Sequence, residues 1–233
     1  MSLTPRLQAI ADFVAPGARI ADVGTDHAYI PIYLIRNKKI EYAMASDINQ
    51  GPIKKAEKNL ERYGIQNKVR LCTADGTEGI KPWEVDTLIV AGMGGELIAQ
   101  ILLKNIPHGI QRMILQPMAN AHEVRSALCE VGYVISKEKL VWEKNKIYQI
   151  ICAVPGKSER KEKEEYRFSA LLFDDPLYSE FLRKEEEKVD RSINQLSFSV
   201  DRALQLQFEN RKKRIERELE ALREYQRKAG AKG

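Results

Sequence analysis

The chain is poor in the residues that hold metals and cross-links. Its 233 residues include three cysteines and three histidines. Cys72, Cys129 and Cys152 are far apart and odd in number, which suits reduced thiols in a cytosolic setting and not a disulfide framework. Each lies among apolar neighbours, so all three read as core residues. The histidines show no paired spacing, so no metal site is expected. No apolar run approaches the roughly 18 residues of a spanning helix. The opening "MSLTPRLQAIADFV" lacks the basic-then-apolar layout of a signal peptide. A cytoplasmic protein that engages no membrane is expected. Neither sign of charge dominates: 38 basic against 33 acidic residues give a net charge of +5, which permits a polyanionic partner without demanding one.

Glycine is missing at one telling place. "ADVGTDHAYIPIYL" (Ala21–Leu34) begins like a nucleotide-binding loop, with an apolar run, an Asp and a Gly. Where a dinucleotide fingerprint would put further glycines, it has Thr25, Asp26 and His27.

What is present is a strand–helix alternation over roughly the first 155 residues. Strands are expected at Arg19–Val23, Ala43–Ile48, Val69–Asp75, Val85–Met93 and Arg112–Pro117, with "YVISKEKLVWE" and "IYQIICAV" as a closing antiparallel pair. Helices are expected at Tyr29–Arg36, Pro52–Tyr63, Gly95–Leu103 and Ala121–Val131. Near-continuous apolar strands alternating with helices predict an α/β fold with a mostly parallel, doubly wound sheet. At Pro155–Phe168 the chain turns charged and reads as a linker or exposed loop, separating a domain at 1–156 from one at 168–233. Asp175 and Pro176 signal a helix start. Leu182, Val189, Ile193, Leu196 and Val200, then Leu204, Phe208, Ile215, Leu219 and Leu222, form heptad-like seams. They predict a C-terminal α-helical coiled-coil hairpin turning near Ser197–Leu206.

Ligands of such sheets bind at the carboxyl ends of the strands. A dinucleotide would rest its pyrophosphate on the first loop, where Asp26 would repel it. S-adenosylmethionine suits the loop better, since it has no phosphate, an ammonium and a cationic sulfur that Asp22 and Asp26 can face. Asp47, 25 residues after Asp22, ends the second strand and suits ribose hydroxyls. Asp75 and Gly76 end the third, beside the adenine. Gly92, Met93 and Gly94 in "AGMGG" end the fourth, where backbone can approach the reacting methyl. An Asp at a strand end also serves as a helix cap or turn residue, so both readings stand for each acid taken alone.

"ADVGTDHAYIPIYL", "AGMGGELIAQIL" and "RMILQPMANAHEVR" together resemble the bacterial tRNA (adenine-22-N1)-methyltransferases. The resemblance covers nearly the whole chain. It implies a class I Rossmann-like methyltransferase domain with a helical C-terminal domain, S-adenosyl-L-methionine as donor and tRNA as acceptor. It places Asp22, Gly24, Asp26 and His27 in the family's first motif, Asp47 at an acidic ribose ligand, Asp75 and Gly76 on the adenine side, and Gly92, Met93 and Gly94 beside the methyl. The chain departs after "LQP", where the family often has Asn and then His and this sequence has Met118 and Asn120.

Adenine N1 carries an in-plane lone pair and needs no prior deprotonation. A carboxylate near the base would orient it and stabilise the cation that develops, and Asp26 is the candidate. Tyr29 is a candidate to line the base pocket, with core packing as its other reading. Asn120 and Arg125 are candidates for substrate contact, Arg125 alternatively for a structural role. Residues 202–232 carry ten basic and five acidic side chains, including Arg211, Lys212, Lys213 and Arg214, which suit tRNA phosphates or a solvated helix face. A monomer or weak dimer is expected. A methyltransferase for another substrate, a non-enzymatic RNA-binding protein and a nicotinamide oxidoreductase remain as alternatives.

Overall fold

The computed structural model describes residues 1–160, 163–196 and 202–230. The strands are β1 (Ile20–Val23), β2 (Ala43–Asp47), β3 (Val69–Thr73), β4 (Thr87–Met93), β5 (Arg112–Pro117), β6 (Tyr133–Glu143) and β7 (Lys146–Pro155). The helices are α1 (Pro5–Phe13), α2 (Tyr29–Arg36), α3 (Gln50–Tyr63), α4 (Gly95–Lys104), α5 (Ala121–Glu130), α6 (Tyr178–Leu196) and α7 (Arg202–Gly230).

One seven-stranded sheet runs β3-β2-β1-β4-β5-β7-β6. β1 to β5 are mutually parallel, and β7 pairs antiparallel with both β5 and β6. The β6–β7 hairpin closes over a two-residue loop, Lys144–Asn145, both at positive φ, the turn whose twist matches the strands. Every residue of β1 is buried, and successive side chains serve opposite faces. Ile20 joins Ile10 of α1, Ile32 of α2 and Leu60 of α3 in one core. Ala21 and Val23 join Ile98 and Leu102 of α4 and Val124 and Leu128 of α5 in the other. Helices on both faces are what continuous apolar strands require. The fold is a Rossmann-like, doubly wound α/β fold. The strand order reverses between β1 and β4, the switch point where a ligand crevice opens at the carboxyl ends.

Three features differ from the sequence-based expectations. α1 was not anticipated; Pro5 sits in its first turn, where a missing N–H costs nothing. Cys72 and Cys129 are only partly buried, while Cys152 is buried. The charged stretch after β7 is not simply a linker. Residues 163–167 form a short 3-10 turn, Tyr166 is buried, and the Tyr166 and Arg167 carbonyls accept from Arg125 Nη1 at 2.9 and 3.2 Å.

The chain divides into two compact units, Met1–Arg167 and Phe168–Gly233. The first therefore runs past residue 156. In the second, α6 and α7 lie antiparallel: Tyr178 near the start of α6 bonds Glu218 late in α7, while Asp190 late in α6 holds Lys212. Leu182, Val189, Ile215 and Leu222 of the expected seams are buried. Val200 and half of the expected turn fall at 197–201, outside the described residues, whereas Arg202–Leu206 are already helical. No described helix is long and apolar enough to cross a membrane.

Candidate active site

β1 ends in a turn that its own residues lock. Gly24 and Thr25 donate backbone N–H bonds to the Ser46 carbonyl of β2 at 2.8 and 2.9 Å. Thr25 Oγ1 accepts from the Ala28 N–H at 3.0 Å, at the left-handed residue that opens α2. Thr25 thus fixes the turn that leads into α2, and Asp26 does not cap that helix. Gly24 has φ +77°, and a Cβ there would run into Met93 Cε. Across the switch point the β4–β5 pairing slips between Ala91 and Met93. Gly92, at φ +80°, takes up the slip in a conformation that glycine tolerates without a steric penalty.

Between these two turns lies an open cavity of about 320 Å³, lined by Asp22, Gly24, Asp26, His27, Tyr29 and Gly92 among others, and on the α1 side by Arg6 and Leu7. Asp22 is 6% exposed. Burial pushes its carboxyl up to about 6, partly offset by a hydrogen bond from Thr25. A buried acid with one hydroxyl partner is suited to a cationic ligand group. Asp26 is the opposite case, with its side chain 58% exposed at the mouth. Its Oδ1 lies 2.9 Å from Lys55 Nζ and its Oδ2 3.0 Å from His27 Nε2. The His27 ring stacks on Tyr29, centroids 4.9 Å apart and 11° between planes, and Tyr29 is exposed.

The remaining predicted residues follow the rim outward. Asp47, half-buried at the end of β2, accepts from the Asn49 N–H at 2.8 Å through Oδ1. Asp75, past β3, is exposed and paired with Lys104 Nζ of α4 at 2.8 Å; Asp75 and Glu78 together hold the Lys104 ammonium above its usual range. Gly76 packs over Ile101. Met93 and Gly94 finish β4 and open α4. Asn120 opens α5, and its side chain donates to Glu96 of α4.

Arg125 is not brought to the rim. It is 3% exposed, paired at 2.8 Å with Glu138, whose side chain is fully buried, and it also donates to Gln149 and to the two carbonyls of the 3-10 turn. This corrects the expectation of a substrate contact, since its guanidinium is consumed in fastening α5, β6 and β7 to the end of the unit. Of the basic run on α7, Arg211 pairs with Glu185 and Lys212 with Asp190 across the helix pair, while Lys213 is exposed and Arg214 half-buried.

Arg6 is a site residue that sequence reasoning did not find. Its Nη1 donates to Gln116 Oε1 at 2.5 Å, its Nε lies 3.8 Å from Glu143, and its guanidinium sits over the Tyr148 ring at 5.5 Å. A single arginine in an N-terminal segment carries no sequence signal. Only the return of α1 to the β4–β5 rim places it here.

A cavity with carboxylates at the switch point of a doubly wound sheet, lacking a glycine-rich phosphate cradle, defines a methyltransferase-type donor site rather than a dinucleotide site. Residues 3–151 match the methyltransferase domain family. The chain is 38% identical over 158 residues to the tRNA (adenine(22)-N(1))-methyltransferase of Bacillus subtilis, an alignment covering 67% of this chain and 66% of that protein, just under two thirds of its length. The crystal structure of the B. subtilis m1A22 tRNA methyltransferase superposes with a TM-score of 0.80 at 30% identity, covering 96% of this chain and 98% of that one. A Streptococcus pneumoniae structure in complex with S-adenosyl-L-methionine gives 0.84 at 30% identity, covering 94% and 100%. The chain belongs to the family of the tRNA (adenine(22)-N(1))-methyltransferases.

Proposed function

We propose that the protein transfers the methyl group of S-adenosyl-L-methionine to N1 of an unpaired adenine in tRNA, at position 22, in the cytoplasm, as a monomer or weak dimer. The observation that carries the reading is the pair of carboxylates on one cavity, Asp22 buried at its floor and Asp26 exposed at its mouth. When bound, the donor supplies a methyl on a positively charged sulfur. As the carbon–sulfur bond breaks and the N1–carbon bond forms, sulfur keeps the electron pair and the positive charge moves to adenine.

The chain's residues act around that charge. Asp22 faces the donor's ammonium, Asp47 the ribose hydroxyls, and Asp75 with Gly76 the adenine side, where Lys104 must yield or share its carboxylate. Gly92, Met93 and Gly94 border the methyl. Asp26 accepts from the adenine amino group and stabilises the cation growing on the ring. A carboxylate offers about four lone-pair sites, so Lys55 and His27 leave room for the base. His27 holds Asp26 in place, and its stack with Tyr29 offers a flat surface to a base drawn out of pairing. Asn120, at the start of α5, contacts the substrate. Lys213 and Arg214 meet tRNA phosphates, with Arg211 and Lys212 shared between that task and their ion pairs.

Asp26→Ala tests the assignment. Binding of S-adenosylhomocysteine, measured by calorimetry, is expected to stay within about threefold, while turnover on tRNA falls roughly 100-fold or more. Turnover near the wild-type value would remove Asp26 from the mechanism.

A further inference from the structure

The outer face of α3 sorts its charges by sign. Ala56 and Leu60 turn the apolar side inward, while Lys54, Lys58 and Arg62 recur at every fourth residue on the outside, all exposed. Lys55 lies beside them, so the four cations share an arc of about 100° over roughly 12 Å of helix. Glu57 and Glu61 keep to the other edge of that face. Cations four residues apart work against a helix, and an acid at that spacing is what relieves them. None does so here: Lys54, Lys58 and Arg62 have no ion-pair partner among the described residues. The basic run on α7 differs, since half of it is committed to Glu185 and Asp190. α3 therefore carries a like-charged row that does nothing for the helix and stands open to a polyanion.

The row leads to the cavity. Lys55 Nζ lies 2.9 Å from Asp26 Oδ1 at the mouth, and Asn59, on the same side of α3, donates to the His27 carbonyl at 3.0 Å. At the far end, exposed Arg36 of α2 lies over the ring of Tyr63, the neighbour of Arg62 in the chain, at 4.8 Å. We propose that this row is the track along which the tRNA backbone leaves the target adenine, with Lys54, Lys58 and Arg62 on successive phosphates and Lys55 joining the track to the mouth. A nucleotide whose base reaches Asp26 brings its own phosphates to that edge of the cavity. Lysines act on phosphate as point charges, so the row sets the register of the RNA and does not read its bases. An acidic protein surface is the lesser fit, because nothing about it would place it beside Asp26.

The inference rests on tRNA being the acceptor, and binding measured without methyl transfer separates the two ideas. Full-length protein is titrated onto bacterial tRNA by filter retention at several salt concentrations. With Lys54→Gln, Lys58→Gln and Arg62→Gln combined, affinity is expected to fall roughly tenfold or more, and the slope of log affinity against log salt to become shallower by about 2 to 3, as the loss of three phosphate contacts requires. Affinity for S-adenosylhomocysteine should stay within about twofold, and the melting temperature should not fall, because the like-charge pairs are gone. Exposed Lys81, Lys139 and Lys157, changed together to Gln, remove the same charge elsewhere and should leave the slope within about one unit of the wild type. Equal losses in the two variants would mean that net charge alone acts, and would overturn the inference. An unchanged slope in the α3 variant would also overturn it while leaving the tRNA reading intact. Failure of the wild type to retain tRNA even at low salt would sink the acceptor reading itself, and the inference with it.

Discussion

At the scale of single residues, two aspartates four positions apart behave differently because their surroundings differ. Asp26 stands in water between Lys55 and His27. Asp22 is buried, and its carboxyl is pushed up from 3.8 to about 6. In the free protein a raised acid stabilises the fold only while it keeps its proton. Below about pH 4 both folded and unfolded chains hold that proton. Between about pH 4 and 6 only the folded chain does, so stability falls as pH rises, by on the order of 3 kcal/mol in total. Asp22→Asn should flatten that decline in urea unfolding measured across the window. Donor binding should run the other way. The ammonium needs the carboxylate, so affinity for S-adenosylhomocysteine should rise with pH through about 6 in the wild type and stay flat in Asp22→Asn. A parallel rise in the variant would assign the titration to another group.

At the scale of elements, most of the fold was legible in the sequence. β5 and α2 have the expected bounds, and the other parallel strands differ by one or two residues at their ends. Their signal is strong because a strand covered on both faces is apolar throughout. The turn after β1 was legible as a lining of the cavity, since Asp22, Gly24 and Asp26 lie within five residues of one another in the chain. Arg6 was not, because its place depends on α1 returning across the sheet to Gln116 and Glu143, contacts more than a hundred residues away in sequence. Arg125 was misjudged for a related reason. An arginine opening a helix near the rim looks exposed until β6 and the segment after β7 close over it. Its buried pairing gives a prediction. Arg125→Met strands the Glu138 carboxylate in the interior and should cost roughly 3–5 kcal/mol in denaturant unfolding, with tRNA affinity of the folded protein unchanged. Lost tRNA affinity at unchanged stability would return Arg125 to the RNA interface.

At the scale of the whole molecule, the chain divides into two compact units. Met1–Arg167 contains the complete cavity, whereas Phe168–Gly233 is an antiparallel helix pair whose basic run is half committed to interhelical ion pairs. In the account above, the first unit reads the donor and the target base, and the second contributes charge to a large acceptor. Substrate identity is therefore the claim on which the rest depends. The direct measurement is incubation of the purified protein with methyl-labelled S-adenosylmethionine and bacterial tRNA, followed by nuclease digestion and identification of the labelled nucleoside and its position. The account predicts 1-methyladenosine at position 22, lost when that adenine is replaced. Clear donor binding with no 1-methyladenosine, or label in a different nucleoside, would contradict it.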